Sequence, residues 1–280
     1  MVDKLFFFIF FISFMSVLSY PQKDFSEKNL YSSVLVDLPS RFPASGFYYV
    51  EDSIFYLVSA KHVLLDSLDQ LLSSTCKINS PQLFEPDSLL ELTLILDTLM
   101  TYHNILYTDS IDMAIVRLGI VDTVLKKISW SFGIKPNFRQ SFHVPHAFPR
   151  LLKYYKDVNI GNEVFILGYP SSLGIKSTPQ FNYNFPLLRK GIIAGKYDAS
   201  KTLILDCPVY YGNSGSPVFE CDYSGDGIRF YLIGIVIQYI PFDEFWANRK
   251  IGQPNVLLSN SGYSIALPID NLIFLLKNSK

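Results

Sequence analysis

Ten short apolar runs, each closed off by glycine, proline, asparagine or serine, most constrain what this 280-residue chain can fold into. They cover residues 47–50, 54–59, 89–96, 113–118, 163–167, 187–193, 203–207, 216–220, 230–237 and 263–267. Runs of this length, rich in β-branched and aromatic residues and bounded by turn formers, read as strands. Many short strands at irregular spacing are the pattern of a barrel or sandwich, so the expected fold class is all-β. The abundance of Tyr (18) and Phe (23) points the same way. Helix signals are confined to residues 64–72 and, just behind Pro268, residues 269–277.

Composition narrows the class of protein. Hydrophobic residues make up 49 % and charged residues 18 %, enough to build a sizeable core and too apolar for disorder. A net charge of −1 gives no electrostatic reason to expect a nucleic acid or an anionic membrane surface as partner. The N-terminus is Met1-Val2-Asp3-Lys4 followed by a Phe-rich apolar run from Leu5 to Leu18. That run is short for a bilayer span and right for the core of a secretory signal. Val17 and Ser19 suit a cut before Tyr20. Residues 1–19 are therefore expected to be a signal peptide, and the mature protein to be secreted or periplasmic. An uncleaved N-terminal membrane anchor is the alternative. Residues 20–40 are polar and mixed and read as an N-terminal arm leading into a domain over 41–280. The three cysteines, Cys76, Cys207 and Cys221, leave at least one unpaired within the chain. No essential disulfide is expected, although a Cys207–Cys221 bridge stays open, since sequence does not show whether their Cβ atoms approach.

Three segments carry chemistry. Gly212-Asn213-Ser214-Gly215-Ser216-Pro217 sits between two apolar runs. A serine among small residues can project its hydroxyl from a tight turn whose backbone N–H groups converge beside it, which is what a nucleophile with an oxyanion hole requires. Upstream, Ala60-Lys61-His62-Val63 follows a strand, and Asp112 stands at the mouth of the strand Met113-Ala114-Ile115-Val116. Each alone has a bland reading: a turn, a surface histidine, a strand-end carboxylate. Together they supply nucleophile, base and orienting carboxylate, with His62 and Asp112 in one half of the chain and Ser214 in the other. Asp109 is the nearest rival carboxylate. His103, His143 and His146 show no metal-ligand spacing, so neither a metal nor another cofactor is expected.

With these segments, the sequence resembles the chymotrypsin-like serine peptidases, and most of all the trypsin-like catalytic domains of Deg/HtrA type. Gly46-Phe47 with Leu57-Val58-Ser59-Ala60-Lys61-His62-Val63 is similar to the family's G-F…V-T-A-x-H-V. Gly161-Asn162-Glu163-Val164-Phe165-Ile166-Leu167-Gly168-Tyr169-Pro170 is similar to its G-D-x-V-x-x-x-G-x-P, and Leu188-Arg189-Lys190-Gly191-Ile192-Ile193-Ala194 to its x-x-G-x-I-S strand. Ser261-Gly262-Tyr263-Ser264-Ile265-Ala266-Leu267-Pro268-Ile269 is similar to its G-x-x-x-A-I-P-x ending. The resemblance implies two six-stranded antiparallel Greek-key β-barrels, over about 41–130 and 151–270, with residues 129–150 crossing between them and the active site in the intervening cleft.

It also implies roles. Ser214 would attack a peptide carbonyl, His62 would take and return the proton, Asp112 would orient His62, and the N–H groups of Gly212 and Ser214 would form the oxyanion hole. The implied function is a secreted serine endopeptidase that hydrolyses protein or peptide substrates through an acyl-enzyme. The alternative is a protease-fold binding protein without turnover. Pro208 falls at the position that forms the base of the family's primary pocket, with Ile235, Val236 and Ile237 as one wall and Gly262-Tyr263-Ser264 as another. An apolar pocket for small or medium aliphatic residues is expected. Ser216 departs from the second glycine of the family's G-N-S-G-G-P. In the trypsin branch, zymogen activation pairs a freed N-terminus with an aspartate just before the nucleophile; Asn213 stands there, so such activation is not expected. No PDZ-like region lies between the barrel and Lys280, so Deg-type chaperoning is not implied.

Overall fold

The computed structural model describes residues 27–278 except 40, 83–84, 123, 125–126, 138–150, 172–177, 224–226 and 248–253. In the N-terminal half the strands are β1 (Ser33–Asp37), β2 (Ala44–Glu51), β3 (Ile54–Ser59), β4 (Thr75–Gln82), β5 (Glu85–Ile95), β6 (Ile105–Thr108), β7 (Ile111–Asp122), β8 (Lys127–Trp130) and β9 (Ile134–Pro136). Two short helices interrupt them, α1 (Lys61–Leu64) and α2 (Leu96–Thr101). In the C-terminal half follow β10 (Glu163–Gly168), β11 (Leu187–Tyr197), β12 (Thr202–Asp206), β13 (Pro217–Asp222), β14 (Arg229–Ala247), β15 (Pro254–Pro268) and α3 (Asp270–Asn278). All ten apolar runs read from the sequence are strands.

The C-terminal six strands close into a barrel in the order β10-β11-β12-β15-β14-β13. The N-terminal nine form one antiparallel sheet, β6-β7-β3-β2-β1-β4-β5-β9 with β8 on the outside of β7, curled around a single core. Its edges β6 and β9 do not pair among the described residues. This is the expected all-β, chymotrypsin-like architecture of two halves, except that the first half is a curled nine-stranded half-barrel where six strands were expected.

Burial explains why the central runs are apolar without alternation. In β3, Phe55 and Leu57 face the N-terminal core, while Tyr56 and Val58 face a second core between the halves. In β7, Ala114, Val116 and Leu118 face the first, and Met113 and Ile115 the second. The second core also takes Leu167, Phe219, Leu232 and Ile235 from the C-terminal barrel, and Ile269, Leu272 and Leu275 from the α3 segment. Strands covered on both faces lose the polar alternate positions. Each fully buried Leu, Val, Ile or Phe contributes about 1.5–3 kcal/mol, so this seam fixes one half against the other.

Three expectations are corrected. Part of the supposed polar arm, Ser33–Asp37, is a central strand between β2 and β4, with Val34 and Val36 fully buried. The expected helix over 64–72 stops at Leu64. Beyond it, the Asp66 carboxylate accepts the N–H groups of Leu68 and Gln70 at 2.8 and 2.9 Å, and Asp69 takes a left-handed φ of 57°. A side chain that captures backbone donors in this way competes with helix hydrogen bonding. The supposed crossing over 129–150 begins inside the first sheet, since β8 and β9 belong to it. Its remainder, with His143 and His146, lies outside the described residues, as does the expected signal peptide. Among the described residues no helix is long and apolar enough to cross a membrane. All three cysteines are buried and unpaired. Burial pushes the Cys207 thiol up to about 11.

Candidate active site

β3 runs into α1, and this turn carries His62 to the surface at the end of a buried strand. Asp112 opens β7, the neighbour of β3. The β3–β7 register, with Ser59 opposite Ala114, sets the two side chains together. His62 Nδ1 lies 2.8 Å from Asp112 Oδ2, and the His62 backbone N–H donates to Asp112 Oδ1 at 3.0 Å. One carboxylate therefore holds both ring and backbone. With Asp112 ionised, the shared proton sits on Nδ1, which leaves Nε2 free to accept another. Burial works to raise the Asp112 carboxyl, but the hydrogen bonds and charge of His62, with the Lys61 ammonium nearby, outweigh it and hold the carboxyl below its ordinary range.

Lys61 was not singled out from the sequence. Its Nζ donates to Asp69 Oδ1 at 2.9 Å and to the carbonyls of Thr108 and Asp109 at 3.1 Å each. It thus fastens the turn that precedes Asp112 onto α1. Asp109 gives its carbonyl to Lys61, whereas the hydrogen bonds of His62 to a carboxylate go to Asp112.

The serine turn lies between β12 and β13. Gly212 and Gly215 have φ of 100° and 86°, and a Cβ on either would come within 2.1 Å of a carbonyl oxygen, of Tyr169 and of Ser45 respectively. No side chain fits at these positions. Buried Asn213 exchanges two bonds with Tyr210: its N–H donates to the Tyr210 carbonyl at 2.9 Å, and its Oδ1 accepts the Tyr210 N–H at 3.0 Å. Gly215 N–H donates to Val236 O at 2.8 Å and Ser216 N–H to Asn213 O at 2.9 Å. The N–H groups of Gly212 and Ser214 have no acceptor among the described residues. Two unsatisfied donors flanking one residue can serve an incoming anion.

The serine turn is tied to the other half through Ser45 of β2, also missed from the sequence. Its N–H donates to Ser214 O at 2.9 Å, its hydroxyl donates to Gly212 O at 2.6 Å and accepts the Tyr169 N–H at 2.9 Å. His62, Gly212 and Ser214 consequently line one cleft of about 230 Å³, with Arg41, Phe42 and Tyr211 among its other walls. Ser214 is half-buried, and its Oγ has no hydrogen-bond partner among the described residues.

The expected pocket residues lie differently. Ile235 and Val236 turn their side chains into the two cores, at 0 % and 1 % exposure, so they offer only backbone to a ligand. Ile237 is half-buried against the seam, Pro208 is half-buried after β12, and Gly262 faces open space with φ of 88°. None of the five lines the cleft that holds Ser214. Among the described residues no three His, Cys, Asp or Glu side chains gather as a metal site.

Ser216, the departure from G-N-S-G-G-P, is fully buried, and its Oγ has no hydrogen-bond partner among the described residues. It fills the space where Gly168 lacks a side chain: a Cβ there would lie 2.0 Å from Ser216 Oγ. An unpaired buried hydroxyl costs about 1–3 kcal/mol. Ser216→Ala is therefore expected to melt at the same temperature as the parent or a few degrees higher. A clear fall in melting temperature would reveal a partner for the hydroxyl.

A family model described as the trypsin-like peptidase domain matches residues 44–225, nearly two thirds of the chain. No curated protein matches it. Among solved structures it is similar to Deg5, at 16 % identity over 89 % of this chain and 88 % of that one, with a TM-score of 0.49. It is also similar to the thermostable serine protease AL20 from an extremophilic microorganism, at 11 % identity over 86 % and 92 %, TM-score 0.47. A third is protease Anisep from Arthrobacter nicotinovorans, at 11 % identity over 89 % and 94 %, TM-score 0.46.

Proposed function

We propose, on the premise that this chain belongs to the trypsin-like peptidase family and is a serine endopeptidase, that its reaction runs through Ser214, His62 and Asp112. The observation that carries this reading is the doubly bonded His62–Asp112 pair facing the cleft that also holds Ser214. Ser214 Oγ bonds to the scissile carbonyl carbon as its proton passes to His62 Nε2. The carbonyl oxygen takes on negative charge, and the open N–H groups of Gly212 and Ser214 hold it. Return of the proton to the leaving amine breaks the C–N bond and leaves an acyl-enzyme. Water then repeats the sequence and frees the serine. Each oxyanion donor contributes about 3 kcal/mol of transition-state stabilisation. His62 and Ser214 share no hydrogen bond in this structure, and such bonds commonly tighten only when substrate is bound.

A fluorophosphonate tests the assignment directly. The expected result is one covalent adduct, found by peptide mass mapping on Ser214 and prevented by prior acid unfolding. No adduct under any condition would favour the binding-protein alternative, and an adduct on another serine would move the nucleophile.

A further inference from the structure

Two tyrosines meet beside the cleft. Tyr211 stands three residues before Ser214 and lines the same cleft. Tyr239 stands on β14, three residues after Val236, whose carbonyl accepts the Gly215 N–H at 2.8 Å. The serine turn and β14 are thus bonded to each other, and from both, a tyrosine reaches outward. Their hydroxyls lie 3.3 Å apart and their rings pack edge to face, with centroids 5.7 Å apart. The hydrogen bond to Tyr211, followed by burial, pushes the Tyr239 phenol above its ordinary range. Phe42, which lines the same cleft, stacks on Tyr211, with ring centroids 6.4 Å apart at an interplanar angle of 23°. Neighbouring bonds hold the segment before Tyr211 from behind: Asn260 Nδ2 donates to Val209 O at 2.5 Å and Ser264 Oγ to Cys207 O at 3.0 Å.

Resting on the peptidase reading, we propose that the Tyr211–Tyr239 pair bars the space between the serine turn and β14, and restricts the residue before the scissile bond to glycine, alanine or serine. The magnitude follows from contact distances. A side chain passing between two walls needs about 3.5–4 Å to each, a separation of about 7 Å. The hydroxyls leave 3.3 Å. A methyl or hydroxymethyl group can stop short of the pair, whereas a leucine or phenylalanine must displace it. This narrows the aliphatic preference expected from sequence and locates its cause in two residues absent from that expectation.

The test uses quenched peptides that differ only in the residue before the cut, and matching peptidyl diphenyl phosphonates carrying alanine or phenylalanine there. For the parent, kcat/KM with alanine should exceed that with phenylalanine by roughly tenfold or more, the scale on which pocket contacts discriminate. Tyr239→Ala should raise the phenylalanine-to-alanine ratio by a similar factor, and Tyr211→Ala, which opens the same space from the other wall, should do likewise. Tyr239→Phe keeps the ring and should hold the ratio within about threefold. The inference is overturned if the parent cleaves after phenylalanine or leucine as readily as after alanine, or if neither alanine variant shifts the ratio. Phosphonate adducts on Ser214 that form equally fast with both compounds would sink this inference and leave the peptidase reading standing. Absence of both hydrolysis and adducts in the parent would overturn the peptidase reading and this one with it.

Discussion

Ser214→Ala will lower turnover by about six orders of magnitude, the loss typical when the nucleophile of such a unit is removed. The substitution deletes one oxygen of a half-buried residue, and that oxygen makes no hydrogen bond among the described residues. Nothing in the turn depends on it. The conformation there is held by Gly212, Gly215, Asn213 and Ser45, all of which the variant keeps. Stability should change by no more than about 0.5 kcal/mol. Initial rates on a quenched peptide, alongside a thermal melt, check both halves of the expectation. The residue left behind still presents its own N–H and that of Gly212, so a trace of hydrolysis above the uncatalysed rate should persist. Turnover within about tenfold of the parent would mean that the nucleophile lies elsewhere.

Asp112→Asn will lower turnover by about four orders of magnitude while preserving the fold. The amide oxygen can still accept the His62 backbone N–H, now made to Oδ1 at 3.0 Å. Its NH₂ group, however, faces Nδ1 at a contact that is 2.8 Å in the parent. A donor there forces Nδ1 to accept, the ring proton moves to Nε2, and His62 cannot take the proton from Ser214. The effect on stability has a definite sign. Burial opposes ionisation of Asp112, but the His62 bonds and the Lys61 charge prevail and lower its folded-state value. A depressed carboxyl contributes stability in full above its ordinary range and loses it as pH falls through the folded value. The melting temperatures of parent and Asp112→Asn should accordingly differ most near neutral pH and converge in acid. Equal turnover, or a gap that widens toward acid, would contradict the role given to Asp112.

Much of this molecule is legible in its sequence. All ten apolar runs became strands, because a run bounded by turn formers needs no distant partner to favour extended backbone. The shared seam explains the rest of that success: β3 and β7 are apolar at consecutive positions because each faces a core on both sides. Among the strands that escaped, β1 and β4 have mixed composition. β4 reads Thr75-Cys76-Lys77-Ile78-Asn79-Ser80-Pro81-Gln82 and gives the N-terminal core only Cys76 and Ile78. β1 escaped because its few apolar residues are embedded in polar chain. The reading of 64–72 as helix failed for another reason: its leucines have helical spacing, but the Asp66 carboxylate captures the donors a helix would use.

At the site, the sequence by itself determined what is local. Gly212 and Gly215 are required by positive φ and by carbonyls that leave no room for a Cβ, and the Gly-rich hexapeptide announces such a turn. Residue chemistry likewise marked His62, Asp112 and Ser214. Only the tertiary structure decided how these groups meet. The His62–Asp112 contact spans 50 positions and the Ser45–Gly212 bond 167, and each distance is fixed by strand register and by packing across the seam. Direction was decided there too. Three consecutive apolar residues, Ile235 to Ile237, do not say which of them faces a ligand, whereas two cores pulling on alternate sides settled it and left Tyr239, further along the same strand, to meet Tyr211. Backbone sterics act between neighbours and can be read in order along the chain. Burial acts between surfaces, and which surfaces meet is a property of the folded whole.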